Sequence, residues 1–263
     1  MFAERLSRVT HRFIAIAIIS AAIVSMAHAD DALAPTAEPN GDLVLVAGAT
    51  GRTGSHVVSE LLANGYRVRA FVRDAESARE KLGDEIEYAV GDVRQRETID
   101  AALRGATAVI SAIGAGREDP SNGPEFVDYG GTKNLIEASA DAGLERFVMV
   151  SSGGVTHEDH VLNKMFNNVL VWKFKGEEVV RNSGVAYTII RPGGLVNKAG
   201  GENEVVFEQG DTASGLIPRA DVARVCVAAL RYPEARNRTF ELVGGDGPYT
   251  DDLQSQFAGL AGD

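Results

Sequence analysis

An apolar run that ends in three evenly spaced glycines restricts this chain more than any other feature. Asp42-Leu-Val-Leu-Val-Ala47 leads directly into Gly48-Ala-Thr-Gly51-Arg-Thr-Gly54. Helical spacing follows, with Val57, Val58, Leu61 and Leu62 on one face and Gly65 as the C-cap. A short β-branched run without polar alternation reads as a strand buried on both faces, as in a parallel sheet. The strand–turn–helix order then gives each glycine a role. Gly48 permits the tight turn, Gly51 lets the backbone approach a pyrophosphate, and Gly54 lets the helix pack closely on the strand. The N–H groups at the helix start attract phosphate, with Thr50, Arg52 and Thr53 in the same turn.

The rest of the chain repeats the alternation. Strands are predicted over 66–72, 86–90, 106–112, 146–150, 185–190 and 239–243. Helices are predicted over 95–103, 126–142, 161–182, 219–230 and 251–260. Strands alternating with helices imply βαβ units. The expected fold is therefore α/β: a Rossmann-like, doubly wound parallel sheet flanked by helices, in one domain over 42–263.

Two positions bear on the nucleotide. The second strand ends in Arg73-Asp74. An acidic residue there would accept from the ribose hydroxyls of NAD, whereas an arginine would meet a 2′-phosphate. Arg73, with Arg52 reaching the same phosphate, favours NADP; Asp74 keeps NAD open. Asp92 follows the third strand, either facing the adenine amino group or serving as a turn residue.

The N-terminus is set apart. Arg5, Arg8 and Arg12 precede an apolar stretch from Phe13 to Ala27, and Ala27-His28-Ala29 follows. These are the parts of a secretory signal over 1–29, which predicts export, to a periplasm, with no stable membrane span after cleavage. An uncleaved anchor and an organelle transit peptide are the alternatives. Residues 30–41 read as a linker. The net charge of −11 argues against a nucleic-acid partner. Cys226, the one cysteine, lies in an apolar run and reads as a buried small hydrophobe.

Together these residues resemble the short-chain dehydrogenase/reductase superfamily, and its atypical NmrA-like and biliverdin/flavin-reductase-like branch most. The segments that carry the likeness are Val46–Gly54, Val68–Asp74, Gly91-Asp92, Gly131–Ile136, Phe147–Ser152 and Tyr187–Gly194. The resemblance implies catalysis by a serine after the fifth strand and by a Tyr-x-x-x-Lys pair. Ser151 and Ser152 occupy the serine region, and Lys173 matches the lysine that holds the nicotinamide ribose. Four residues earlier, where tyrosine is expected, stands Val169. Valine donates no proton. Tyr129 and Tyr187 belong to other elements. Arg191, Pro192 and Gly193 are expected to pass the nicotinamide, and Asp128 stands where many members carry asparagine.

The loop His157-Glu158-Asp159-His160 fits no common zinc spacing, so no metal is expected. It reads as a solvated loop or as a lining of the substrate pocket. Trp172 reads as a core or interface aromatic. The resemblance implies an NADPH-dependent reductase of a small acceptor that needs little acid help, such as a flavin or quinone. A non-catalytic NAD(P)H-binding redox sensor or assembly factor, and an epimerase or dehydratase, stand as alternatives.

Overall fold

The computed structural model describes residues 41–116 and 120–263; the expected signal and all but the last residue of the linker lie outside them. The described residues build one α/β domain. Its first half contains β1 (Leu43–Ala47), α1 (Gly54–Ala63), β2 (Arg67–Val72), α2 (Ala75–Leu82), β3 (Glu87–Val90), α3 (Arg96–Ala102) and β4 (Ala108–Ser111). A π-helical turn, Glu125–Gly131, runs into α4 (Thr132–Asp141). Then come β5 (Arg146–Val150), α5 (Val161–Met165), α6 (Val169–Arg181), β6 (Tyr187–Pro192) and β7 (Gly194–Val196). The chain continues through β8 (Asn203–Glu208), β9 (Leu216–Pro218), α7 (Arg219–Arg231), β10 (Arg238–Pro248) and α8 (Leu253–Ala258).

Eight strands form the main sheet in the order β3-β2-β1-β4-β5-β6-β10-β8. All pair in parallel except β8, which runs antiparallel to β10. Strand order reverses between β1 and β4, and a crevice opens at the carboxyl ends of the strands there. Alternate residues of β1 enter opposite cores. Val44 and Val46 pack with Val57 and Leu61 of α1 and Val222 of α7. Leu45 and Ala47 pack with Ile99 of α3, Leu135 of α4 and Val180 of α6. Both faces are covered, which is why β1 carries no polar alternation.

The structure departs from the predicted elements in four places. The helix predicted over 161–182 breaks, because Asn167 and Asn168 both adopt left-handed φ of 51° and 58°. Buried Asn163 completes the break: its Oδ1 accepts from Leu170 N at 2.9 Å and caps α6. The helix predicted over 126–142 starts as the π turn. Helix α2 escapes sequence reading because it buries only Ala78 and so shows no apolar period. Strands β7 and β9 have three residues each, β8 is partly exposed over most of its length, and β10 runs on through a glycine-rich stretch that reads as a loop.

Candidate dinucleotide-binding site

The glycine turn is set by backbone contacts. Gly48 has φ +79°, and a Cβ there would lie 2.6 Å from Ala112 O at the end of β4. At Gly54 a Cβ would lie 2.1 Å from Gly48 O. This is helix packed on strand with room for a hydrogen only. Gly51 N donates to Gly48 O at 2.9 Å, while Thr50, Gly51 and Arg52 stay exposed. Thr53 at the N-cap makes no side-chain bond, and no acidic residue occupies the first turn of α1. The N–H groups of Arg52, Thr53 and Gly54 meet no acceptor among the described residues. These are the donors a diphosphate requires. Gly54→Ala is expected to force α1 off β1, costing about 1–3 kcal/mol and abolishing nucleotide binding; thermal melting and calorimetry measure the two effects.

Beside the turn lies a cavity of about 240 Å³, lined by Gly48, Gly51, Phe71, Arg73, Asp92 and Ile113 among others. Its place, outside β1, β2, β3 and β4, suits an adenosine. Arg73 is exposed at the end of β2. Asp74 is committed elsewhere: its Oδ1 accepts from Ser77 N at 3.1 Å and caps α2. Asp92 is bound by Arg94, whose Nη2 lies 2.6 Å from Oδ2 and whose N and Nε reach Oδ1 at 2.9 and 3.0 Å. Those hydrogen bonds outweigh burial and hold the Asp92 carboxyl below its usual range, with a smaller pull from Arg73. The carboxylate therefore both lines the cavity and fixes the turn after β3. Arg73 lines the cavity, and Arg52 stands exposed on the glycine turn beside it.

On the other side of the crevice Lys173 is held in place. Its Nζ lies 2.8 Å from Asp128 Oδ1 and 3.5 Å from Ile113 O. Asp128 is 1% exposed, and its Oδ2 accepts from Ala115 N at 3.0 Å. One carboxylate on the π turn thus joins α6 to the loop after β4, next to the cavity. π turns recur at functional sites, where the extra residue re-aims a side chain. Sequence reading shows Asp128 only as a replaced asparagine; its pairing with Lys173, 45 positions away, is visible only in the fold.

Ser151 and Arg191 are both engaged by the buried carboxylate of Glu177. Ser151 Oγ donates to Glu177 Oε1 at 2.6 Å. Arg191 Nε and Nη2 donate to the two oxygens of the same carboxylate at 3.1 and 2.7 Å. Burial alone would lower the Arg191 pKa, but Glu177 outweighs it and the net direction is up. The backbone after β6 is also engaged. Pro192 O accepts from Gly153 N at 2.9 Å, Gly193 N donates to Leu242 O at 3.0 Å, and Gly194 N donates to Gly215 O at 2.8 Å. Ser152 is half-buried, and its Oγ donates to Gly153 O at 3.0 Å.

Val169 opens α6, one turn before Lys173. Tyr129 and Tyr187 lie on other elements, the π turn and β6. Tyr129 packs on Trp172 at 5.9 Å between centroids. Tyr187 OH donates to Asp263 Oδ2 at 3.0 Å, and burial with that bond pushes its pKa up. The loop after β5 is held by Asp211, whose carboxylate accepts from Gly154 N, Thr156 N and Thr156 Oγ1 at 2.6–2.7 Å. Burial raises the Asp211 pKa, yet these bonds prevail and hold it low. In the same loop His160 Nδ1 accepts from Leu162 N and caps α5. Among the described residues, no three His, Cys, Asp or Glu side chains gather to hold a metal. Cys226 is fully buried, and burial drives its pKa up.

A family profile described as NAD(P)H-binding matches residues 48–233. The chain belongs to that NAD(P)H-binding family. Its sheet and motifs are those of the atypical short-chain dehydrogenase/reductases. Sanguinarine reductase of Eschscholzia californica is 36% identical over 259 residues, covering 82% of this chain and 94% of that protein. An uncharacterised chloroplast protein of Arabidopsis thaliana is 39% identical over 251 residues, covering 85% and 76%. The photosystem II assembly factor Ycf39 of Trieres chinensis is 32% identical over 231 residues, covering 83% and 69%. Among solved structures, a putative NAD-dependent epimerase/dehydratase of Bacillus halodurans superposes with a TM-score of 0.73 at 28% identity, covering 82% of this chain and all of that one. The fold is shared with the reductase ChuY of Escherichia coli O157:H7, at a TM-score of 0.67 and 24% identity over 79% of this chain and all of that one.

The relatives correct one expectation. Export to a periplasm is overturned by relatives that carry a chloroplast designation and align over three-quarters or more of this chain, which point to an organelle instead. Among the described residues no helix is long and apolar enough to cross a membrane.

Proposed function

We propose that this NAD(P)H-binding chain is an NADPH-dependent reductase of a small acceptor, such as a flavin or quinone. The observation that carries the reading is the Lys173–Asp128 pair at 2.8 Å beside the cavity. A lysine fixed by a buried carboxylate next to the nucleotide crevice is suited to hold a ribose. The cofactor, when bound, supplies a hydride. The residues present fit it: open N–H groups at α1 for the diphosphate, Arg73 for a 2′-phosphate, and the cavity for the adenosine. Gly48, Thr50, Gly51, Arg52, Thr53 and Gly54 would form the cradle. Asp92 would border the adenine through the turn it fixes, and Lys173 would hold the nicotinamide ribose. Of the two serines, Ser152 would face the acceptor, since Ser151 is bound to Glu177. Pro192 and Gly193 would serve as a wall, because their hydrogen-bonding groups are engaged.

The acceptor class follows from what Val169 lacks. No tyrosine stands one turn before Lys173 to donate a proton, so the acceptor must take its proton from water, as flavins and quinones do. Sanguinarine reductase, by its name, reduces a small molecule, which agrees with this class of activity. The test is NADPH oxidation by the purified chain against a panel of flavins and quinones. Acceleration by at least one of them supports the reading; tight NADPH binding with no acceleration by any favours a non-catalytic sensor or assembly factor. That second reading draws on Val169 itself and on the relative named as an assembly factor.

Cofactor choice is tested separately. Arg73→Ala is expected to weaken NADPH roughly 10- to 100-fold, the range for losing a charged hydrogen-bond partner, and to leave NADH unchanged. Calorimetric titration with both nucleotides reads the difference; equal losses for the two would remove Arg73 from the 2′-phosphate.

A further inference from the structure

Strand β10 runs on past its pairing with β6 as Gly244-Gly245-Asp246-Gly247, and the glycines make room for a carboxylate. A Cβ on Gly245 or Gly247 would lie 2.6 Å from the Glu204 side chain of β8, whose Oε1 accepts from Gly247 N at 2.9 Å. A Cβ on Gly244 would lie 2.9 Å from Leu216 O of β9. Between these strands, the end of β7 and the first turn of α7 lies a second cavity, of about 170 Å³. It shares no lining residue with the nucleotide cavity. Val196, Leu216 and Pro218 give it an apolar wall. Glu202, Glu204 and Asp221 set three carboxylates against the one ammonium of Lys198.

Asp221 distinguishes this cavity from an acidic surface. It is 4% exposed, and its Oδ1 accepts from Gly201 N at 2.9 Å and lies 3.6 Å from Arg224 Nε. Its Oδ2 takes no hydrogen bond among the described residues and stays open to the cavity that Asp221 lines. A carboxylate oxygen withdrawn from bulk water without a donor is costly, and a cation carrying N–H groups removes the cost. The excess of carboxylates turns an anion away. A point ion does not fit either: among the described residues no three Asp, Glu, His or Cys side chains converge to hold a metal. The acids are spread over the wall, Asp221 from α7 and Glu204 from β8, which suits a head with several N–H directions on an apolar body.

We propose that this cavity binds a small primary ammonium ion. The ammonium donates to the open Oδ2 of Asp221 and to the Glu204 carboxylate, and its short apolar stem lies on Val196, Leu216 and Pro218. Bound there, the ligand joins α7, β8 and β9, three elements of the carboxyl-terminal half. The site is independent of the cofactor crevice, so it stands or falls apart from the reductase reading.

The test is calorimetry on the full chain with n-butylammonium chloride, with sodium butyrate as its anionic match and calcium chloride as a point cation. The amine is expected to bind where the other two do not. Asp221→Asn keeps an acceptor for Gly201 N and replaces only the open oxygen, so it should weaken the amine about tenfold or more. Glu204→Gln keeps the bond from Gly247 N and should give a similar loss, which serves if Asp221→Asn fails to fold. Lys198→Met, at an exposed position, should tighten the amine, because a competing cation leaves the rim. NADPH affinity should not move in any of the three. Butyrate or calcium binding as well as the amine overturns the proposal. So does an amine that does not bind at millimolar concentration, or one that binds Asp221→Asn and Glu204→Gln undiminished.

Discussion

Replacing Glu177 by alanine is expected to lower the melting temperature by roughly 6–20 °C, the shift that a loss of about 3–5 kcal/mol produces in a domain of this size. Glu177 is fully buried and is the centre of a charged cluster. It accepts from Ser151, from Arg191 twice, and from Arg181 Nη2 at 2.8 Å. Removing it leaves Arg191, 6% exposed, with Glu241 at 3.7 Å and the charge of Asp211 as what remains to offset it among the described residues. Burial pushes the Glu241 pKa up, and the pull of Arg191 only partly offsets this. An orphaned buried guanidinium is the costly outcome; an intact buried pair gains little net energy. Glu177→Gln keeps the shape and an acceptor oxygen but loses the charge, so it should fall between the two. The pair Glu177→Leu with Arg191→Met should recover part of the loss, because both charges leave together. A melting temperature unmoved by Glu177→Ala would mean that the cluster does not form in solution.

That cluster also marks where sequence reading ends. The glycine turn, the buried strands and the position of Arg73 are legible because each depends on residues within a few positions of one another. Gly54 is a packing glycine in the structure for the reason its spacing gives. Ser151 and Arg191 read toward the cofactor because they follow strands at the right end of the sheet. Their actual partner, Glu177, comes from α6, 26 positions from one and 14 from the other. No local pattern shows which way such a side chain turns. Asp74 is ambiguous for a similar reason: an acid beside an arginine reads as a ribose ligand until α2, with its single buried residue, is seen to need a cap. The break before α6 depends on a buried asparagine that reaches past two left-handed residues to the next helix. Periodicity cannot register it, since the apolar spacing continues on both sides.

Replacing Lys173 by methionine is expected to reduce turnover with a flavin or quinone acceptor by about 100-fold, the scale for removing one positioned polar group from a reacting site. The side chain is 14% exposed and reaches from α6 to Ile113 O, on a residue that lines the cavity. Methionine fills the same volume but makes no ion pair with Asp128. It would leave a carboxylate buried with Ala115 N as its remaining partner, and stability would fall as well. The two effects separate in the double variant. Asp128→Asn with Lys173→Met removes the stranded charge and keeps a group that bonds Ala115 N, so the melting temperature should return toward that of the unmodified chain. Turnover should not return, because the group that would hold the ribose is still absent. If turnover recovered with stability, Lys173 would be a structural partner of Asp128 and the reductase site would have to lie elsewhere in the crevice. If nucleotide affinity changed while no variant, nor the unmodified chain, turned over any acceptor, the pair would belong to a sensor, in which Lys173 orders the loop after β4 when the cofactor binds.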